Sequence, residues 1–231
     1  MWGEQAAFKD RTDAGEQLAG RLAAMSWHNP VVLALPRGGV PIGAVIARRL
    51  DAPLDLLLVR KIGAPGNSEY GIGAVIEGQP PHRVIDPDAV RHSRAGEAYI
   101  EAETRRQLDV IAKRRALYLA ERKPIDLAGK EVIVADDGIA TGSTVRAALK
   151  GLRDMGAASI TLAVPVAPAE VIRKLEGEVD RLVCLKTPED FRSVGEHYAD
   201  FTQLSDEDVI ALLAQPAQPE RGAPSLSSRS S

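Results

Sequence analysis

The chain has 231 residues, with 29 Lys+Arg against 32 Asp+Glu, a formal net charge of -3, 45% hydrophobic residues and only 4% aromatics. That apolar content suits one large domain or two small ones and excludes a wholly disordered chain. No apolar run approaches the roughly 18 residues of a membrane span, the charge balance argues against a general nucleic-acid binder, and a single cysteine, Cys184, excludes a disulfide framework or a cysteine-built metal cage.

The opening Met1-Trp2-Gly3-Glu4-Gln5 lacks a basic-then-apolar signal pattern, so a cytoplasmic protein is expected. Ala14, Leu18, Leu22 and Met25 recur at helical spacing behind Asp13, a capping residue, and predict a helix to Met25. Val31 to Leu35 is a short apolar run ending in Pro36-Arg37-Gly38-Gly39. Val40 to Leu50 reads as a helix, with Pro41 in its first turn. A second apolar run, Leu54 to Val59, ends in Arg60-Lys61. The Gly- and Pro-rich stretch Ile62 to Asn67 reads as loop, and Gly71 to Ile76 and Arg83 to Ile85 are weakly strand-like.

Residues 95–123 predict one long or broken helix, its Lys113-Arg114-Arg115 cluster read as a solvated face rather than a nucleic-acid patch. Glu131 to Ala135 is a further apolar strand. After it come Asp136-Asp137-Gly138-Ile139-Ala140-Thr141-Gly142-Ser143-Thr144 and a helix to Met155, closed by Gly156. Ile160 to Val166 and Arg181 to Leu185 complete the strands, with a helix near Pro168 to Leu175 between them. Residues 215–231 are rich in Pro, Ser and Gly and read as a disordered tail. β-Branched runs alternating with amphipathic helices predict an α/β fold, a mostly parallel central sheet flanked by helices. The expected organisation is a single domain over residues 1–214.

The loop after Ala135 carries the chemistry. Gly138 and Gly142 permit close backbone approach, and successive N–H groups leading into a helix N-terminus make an anion site. Thr141, Ser143 and Thr144 add hydroxyl donors. The motif is not a Walker A loop, because Ser143 stands where Lys is required. Asp136 and Asp137 would repel a phosphate, so sugar hydroxyls or a magnesium ion fit them better. Arg37-Gly38-Gly39 has the same strand, glycine turn and helix construction and forms a second candidate anion site. Two anion sites flanking an acid pair suggest a ribose carrying phosphate at both ends, as in phosphoribosyl pyrophosphate.

Val132 to Thr144, VIVADDGIATGST, resembles the signature of type I phosphoribosyltransferases. Arg37-Gly38-Gly39 looks like that family's pyrophosphate loop, where a cis peptide sometimes occurs, and Arg60-Lys61 looks like the start of its mobile catalytic loop. The resemblance covers most of residues 31 to 166 and extends to a bacterial group of predicted phosphoribosyltransferases. It implies that Asp136 and Asp137 hold the ribose hydroxyls, with Mg2+ carried by the substrate near them. Gly138, Ile139, Ala140, Thr141, Gly142, Ser143 and Thr144 would wrap the 5′-phosphate. Arg37, Gly38 and Gly39 would take pyrophosphate, and Lys61 with Arg60 would neutralise the departing group.

The residue before Thr141-Gly142 is Ala140, where 6-oxopurine members carry Asp, so hypoxanthine and guanine are expected to be poor substrates. Glu69, the one acid of the mobile loop, is a substitute proton acceptor. A small C-terminal hood, about 186–204, would cover the base, with Tyr198 or Phe201 stacking on it or else packing the core. The four histidines lack ligand spacing. The implied reaction is Mg2+-dependent phosphoribosyl transfer to a nitrogenous base or similar nucleophile. The alternative is a regulator that binds phosphoribosyl pyrophosphate without transfer. The resemblance also implies a homodimer.

Overall fold

The computed structural model describes residues 7–78 and 80–214. Five strands form a parallel sheet: β1 (Pro30–Ala34), β2 (Leu54–Leu56), β6 (Glu131–Ala135), β7 (Ser159–Val166) and β8 (Arg181–Lys186), in the order β2-β1-β6-β7-β8. Their apolar runs are continuous because helices cover both faces. On one face Val31, Leu33, Val132, Val134, Ile160 and Leu162 pack against α5 (Ser143–Asp154) and α6 (Ala169–Glu176). On the other, Val32, Ile133, Ala135 and Ala163 pack against α1 (Arg11–Ala23) and α2 (Gly39–Leu50).

The strand order places a switch point at the centre of the sheet. From β1 the chain crosses through α2 to β2 on one side; from β6 it crosses through α5 to β7 on the other. β1 and β6 are hydrogen-bonded neighbours in register from Pro30↔Glu131 to Ala34↔Ala135. Their following helices lie on opposite faces, so the loops leaving the two carboxyl ends diverge. A crevice opens between them, the usual ligand position of such sheets.

The segment after β2 corrects the sequence reading. Leu54 to Val59 is not one strand: β2 ends at Leu56, and Val59 opens a second, antiparallel sheet of β3 (Val59–Ala64), β4 (Asn67–Ile76) and β5 (His82–Ile85). Ile62 to Asn67 is therefore not a loop but mostly strand, turned at Pro65-Gly66, where Gly66 has φ +73 and Ala64 pairs with Asn67. Proline then glycine suits the second and third positions of a type II turn. Gly63, Gly71 and Gly73 hide the strand pattern. The hairpin is instead held by distant packing of Ile62 and Ile72 on Ala89, Ala95 and Ile100.

Two helices escaped the sequence reading: α3 (Pro87–Ser93), capped by Asp86, and α7 (Asp206–Leu213), capped by a reciprocal Ser205–Asp208 box. The long segment forms one unbroken helix, α4 (Glu97–Leu119). Its basic cluster is not a uniformly solvated face. Arg115 is buried and donates to Asp55 (3.2 Å) and Glu77 (2.8 Å). This triad fastens α4 to β2 and to the end of β4. The expected tail at 215–231 lies outside the described residues. Among the described residues no helix is long and apolar enough to cross a membrane.

Candidate active site

The crevice is built first by close packing. The Pro36–Arg37 peptide bond is cis. The chain on either side of it is pressed onto the end of β6: just before it, Leu35 N–H donates to the Ala135 carbonyl at 2.9 Å. A Cβ on Gly39 would lie 2.4 Å from the Ala135 carbonyl oxygen and 2.9 Å from the Asp136 Cα. A Cβ on Gly38 would lie 2.0 Å from Asp137 Oδ2. The two glycines are thus required for the Arg37-Gly38-Gly39 turn to touch the acid pair, a need that the sequence pattern alone assigns only to loop freedom.

Asp136 and Asp137 follow β6 directly, both half-buried. Asp136 Oδ1 accepts from the Asp137 N–H at 2.9 Å. Burial, and then the neighbouring Asp137 charge, push the Asp136 carboxyl well above the usual aspartate range. Burial also raises Asp137, opposed by a partner absent from the sequence reading: Arg11 Nε donates to Asp137 Oδ2 at 2.9 Å. Arg11 also donates to the Thr202 carbonyl at 2.9 Å, and its guanidinium lies 3.9 Å from the Phe201 ring centre. One arginine from the first turn of α1 therefore ties an acid of the site to the hood segment.

The loop 138–144 reaches α5 through Gly142, whose φ of +76 is open to glycine and which caps the helix without a side-chain hydrogen bond. The first-turn N–H groups at Ser143 and Thr144 have no partner within the helix, as at any helix start. Ala140, Thr141, Ser143 and Thr144 are exposed. Ile139 differs: it is buried, and its N–H donates to the Val166 carbonyl at 3.0 Å, so that group is already engaged.

Two cavities meet at Thr144. One, of about 210 Å³, is lined by Pro36, Arg60, Arg114, Asp136 and Thr144 among others. The other, of about 380 Å³, lies between the hairpin sheet and α5 and brings Lys61 together with Ser143 and Thr144. Lys61 Nζ donates to the Glu69 carbonyl at 2.9 Å and its carboxylate at 3.1 Å. The two residues are thus partners across the hairpin, and the Glu69 side chain is 92% exposed. Such exposed pairs are worth about 0–1 kcal/mol and dissolve readily. Arg60 donates to Gln107 on α4 at 3.0 Å, and Arg37 lies 3.6 Å from Asp206 on α7.

The aromatic hood residues are mostly packing. Tyr198 is 5% exposed, its ring 5.4 Å from Phe8 and 5.0 Å from Phe201, and its hydroxyl donates to the Asp137 carbonyl at 2.6 Å. Burial raises the Tyr198 phenol, so it stays a donor. Its ring presents no free face for stacking. Phe201 has one face under Arg11. Both hold the segment 195–201 onto Phe8 and the acid pair.

Sequence reasoning missed Arg11, Gln107, Asp206 and Arg114 around this crevice. Arg114 belongs to the basic cluster read from sequence as a solvated face, the other three lie in no local motif, and each arrives from a distant helix. No group of three or more His, Cys, Asp and Glu among the described residues could hold a metal. With Asp137 already paired to Arg11, Asp136 is the carboxylate left for a cation. That donor set fits a magnesium ion ligated mainly by polyphosphate oxygens and water, as magnesium commonly is.

Residues 5–200 match the family described as Phosphoribosyl transferase domain. A protein of Mycobacterium tuberculosis strain H37Rv bearing the name "Putative phosphoribosyl transferase" is 44% identical over 206 residues, 89% of this chain and 46% of its own length. The chain thus spans about half the length of that relative. A uracil phosphoribosyltransferase of Pseudarthrobacter chlorophenolicus is 45% identical over 60 residues, 26% of this chain and 28% of its own. The crystal structure of TT1426 from Thermus thermophilus superposes with a TM-score of 0.79 at 44% identity, covering 89% of this chain and 97% of that one. With the acid pair, the cis-peptide turn and the small-residue loop converging on one sheet edge, the chain belongs to the phosphoribosyl transferase domain family.

Proposed function

We propose that the protein transfers a phosphoribosyl group from magnesium phosphoribosyl pyrophosphate to a nitrogenous base or similar small nucleophile. The observation that carries this reading is the adjacency of two anion-type loops and a carboxylate pair at the β1/β6 switch point. In the reaction the bond from ribose C1 to the pyrophosphate oxygen breaks and a bond from C1 to nitrogen forms. Positive charge develops on the ribose ring, and negative charge on the departing group.

Asp136 and Asp137 would orient the ribose hydroxyls and favour the cationic ring. Thr141 to Thr144 would hold the 5′-phosphate through N–H and hydroxyl donors. Arg37, Arg60 and Lys61 would take up charge on the pyrophosphate. Bound magnesium would neutralise and template the same group, with Asp136 as the chain's contribution to holding it. Glu69 is the proposed proton acceptor from the base; an unchanged rate in Glu69→Gln excludes that role.

Titration calorimetry with magnesium phosphoribosyl pyrophosphate tests the binding half, with micromolar affinity expected. Asp136→Asn should weaken it tenfold or more, about 1.4 kcal/mol. Pyrophosphate release across a panel of bases tests the transfer half. The local match to a uracil enzyme places uracil first on the panel, followed by adenine. Ala140 leads us to expect little turnover of hypoxanthine or guanine. Tight binding without base-dependent pyrophosphate release would favour the regulator instead. A cytoplasmic homodimer belongs to the same reading, with light scattering expected to give about twice the 24.7 kDa chain mass.

A further inference from the structure

We infer that Arg114, on helix α4, is a ligand for the diphosphate group of the substrate, so that this helix supplies part of the leaving-group subsite. The inference rests on the phosphoribosyl-transfer reading and adds to it a residue that the sequence pattern assigns to a solvated helix face.

The rotation of α4 is fixed by its buried side. Ile111 and Arg115 are buried, Arg115 in the triad with Asp55 and Glu77, and the Tyr118 hydroxyl donates to Asp206 at 2.6 Å. Position 114 lies three residues beyond Ile111 and four before Tyr118, so it shares the flank of the helix on which those two meet the core. Arg114 and Ile111 both line the 210 Å³ cavity that also takes in Pro36, Arg60, Asp136 and Thr144. The cavity therefore joins the cis-peptide turn, the acid pair and the start of α5 to one guanidinium from α4.

The charge balance of this cavity is unusual. Among the described residues Arg114 has no hydrogen bond or ion pair, whereas its helix neighbours Arg106 and Arg115 each have a carboxylate partner. Arg60 donates to the neutral side chain of Gln107, which in turn donates to Glu103, so the Glu103 charge reaches Arg60 from outside the cavity lining. Asp136 is the one carboxylate lining the cavity. Within the lining itself, two guanidiniums stand beside a single acid, so the cavity wall carries more positive than negative side chains. Planar guanidinium forks match phosphate oxygens in bidentate geometry, and a diphosphate offers enough oxygens for both.

The test is calorimetric titration of three probes, inorganic pyrophosphate, magnesium phosphoribosyl pyrophosphate and ribose 5-phosphate, into wild type, Arg114→Ala, Arg114→Lys and Arg105→Ala. Arg105 is exposed on the same helix, as Arg114 is, but lies outside the cavity lining and serves as the control. The expected result is a tenfold or greater loss of affinity for the two diphosphate-bearing probes in Arg114→Ala. Arg114→Lys should recover part of it, Arg105→Ala should match wild type, and ribose 5-phosphate should bind Arg114→Ala normally. Unchanged pyrophosphate affinity in Arg114→Ala overturns the inference and leaves the transfer reading standing. An equal loss for ribose 5-phosphate also overturns it, since it reports a structural disturbance. Failure of wild type to bind either diphosphate probe removes the transfer reading and this inference together.

Discussion

Replacing Arg11 by methionine isolates the contact that ties the acid pair to the hood. Methionine retains much of the apolar stem and removes the charge. The Arg11 side chain is 11% exposed and its partner Asp137 15%, so solvent screens the pair little. Breaking a buried pair by removing one partner costs about 3–5 kcal/mol. The residual exposure lowers that figure, while loss of the stacking on Phe201 adds about 0.5–2 kcal/mol. A net loss of about 2–4 kcal/mol is expected in urea denaturation at neutral pH.

Most of that loss should come from Asp137 left charged and unpaired. Arg11→Met/Asp137→Asn should therefore be less destabilised than the sum of the single variants, with a coupling above about 1 kcal/mol. The pH dependence follows with a definite sign. Arg11 opposes the burial that raises Asp137, so without it the Asp137 pKa in the fold rises further. The folded variant then binds the proton more tightly than the unfolded chain, and its stability falls as pH rises through that window. The cost of Arg11→Met should accordingly be smaller at pH 5 than at pH 8. Additive variants, or a cost independent of pH, would refute the assignment of Arg11 as the counter-ion of Asp137.

Asp136, raised by burial and by Asp137, likewise lowers stability as pH climbs from the ordinary aspartate value of about 3.9 toward its raised value. Asp136→Asn should therefore be more stable than wild type at pH 7.5 and lose that advantage near pH 4.5, read from urea midpoints. Gly39→Ala would drive a Cβ against backbone atoms on the neighbouring strand end. A loss of about 1–3 kcal/mol is expected in denaturation, together with weaker phosphoribosyl pyrophosphate binding by calorimetry. Arg115→Met takes the nearest cation from buried Asp55 and Glu77, leaving Asp55 only Arg122 at 3.9 Å. It should cost about 3–5 kcal/mol in thermal or urea melts, whereas Arg105→Ala should change stability by less than about 0.5 kcal/mol.

The parallel sheet and its central loop are legible in the sequence because their signals are local. Val31 to Leu35 and Val132 to Ala135 are short continuous apolar runs, and Ile160 to Val166 is broken only by Thr161; their shortness and β-branched content suit strands covered on both faces. Asp136 to Thr144 carries its acids, glycines and hydroxyls within nine consecutive residues, so strand, turn and helix start follow from chain geometry alone. The hairpin of β3 and β4 is not legible in the same way. Gly63, Gly71 and Gly73 erase its alternation, and its stability comes from Ala89, Ala95 and Ile100, which follow it in the chain and meet it only in the folded protein.

The contacts around the crevice divide on the same line. The types and spacing of Asp136, Asp137, Arg37 and Lys61 name the chemistry. Tertiary structure decides which charges are available for it. Asp137 is engaged by Arg11 across 126 positions of sequence, Arg60 is set by Gln107 across 47, and Arg115 turns inward to Asp55 across 60 while Arg114 beside it lines the cavity with no ion pair among the described residues. The electrostatic state of a carboxylate or guanidinium depends on its burial and on neighbours within a few ångströms. A linear sequence specifies those neighbours only through the fold that brings them together.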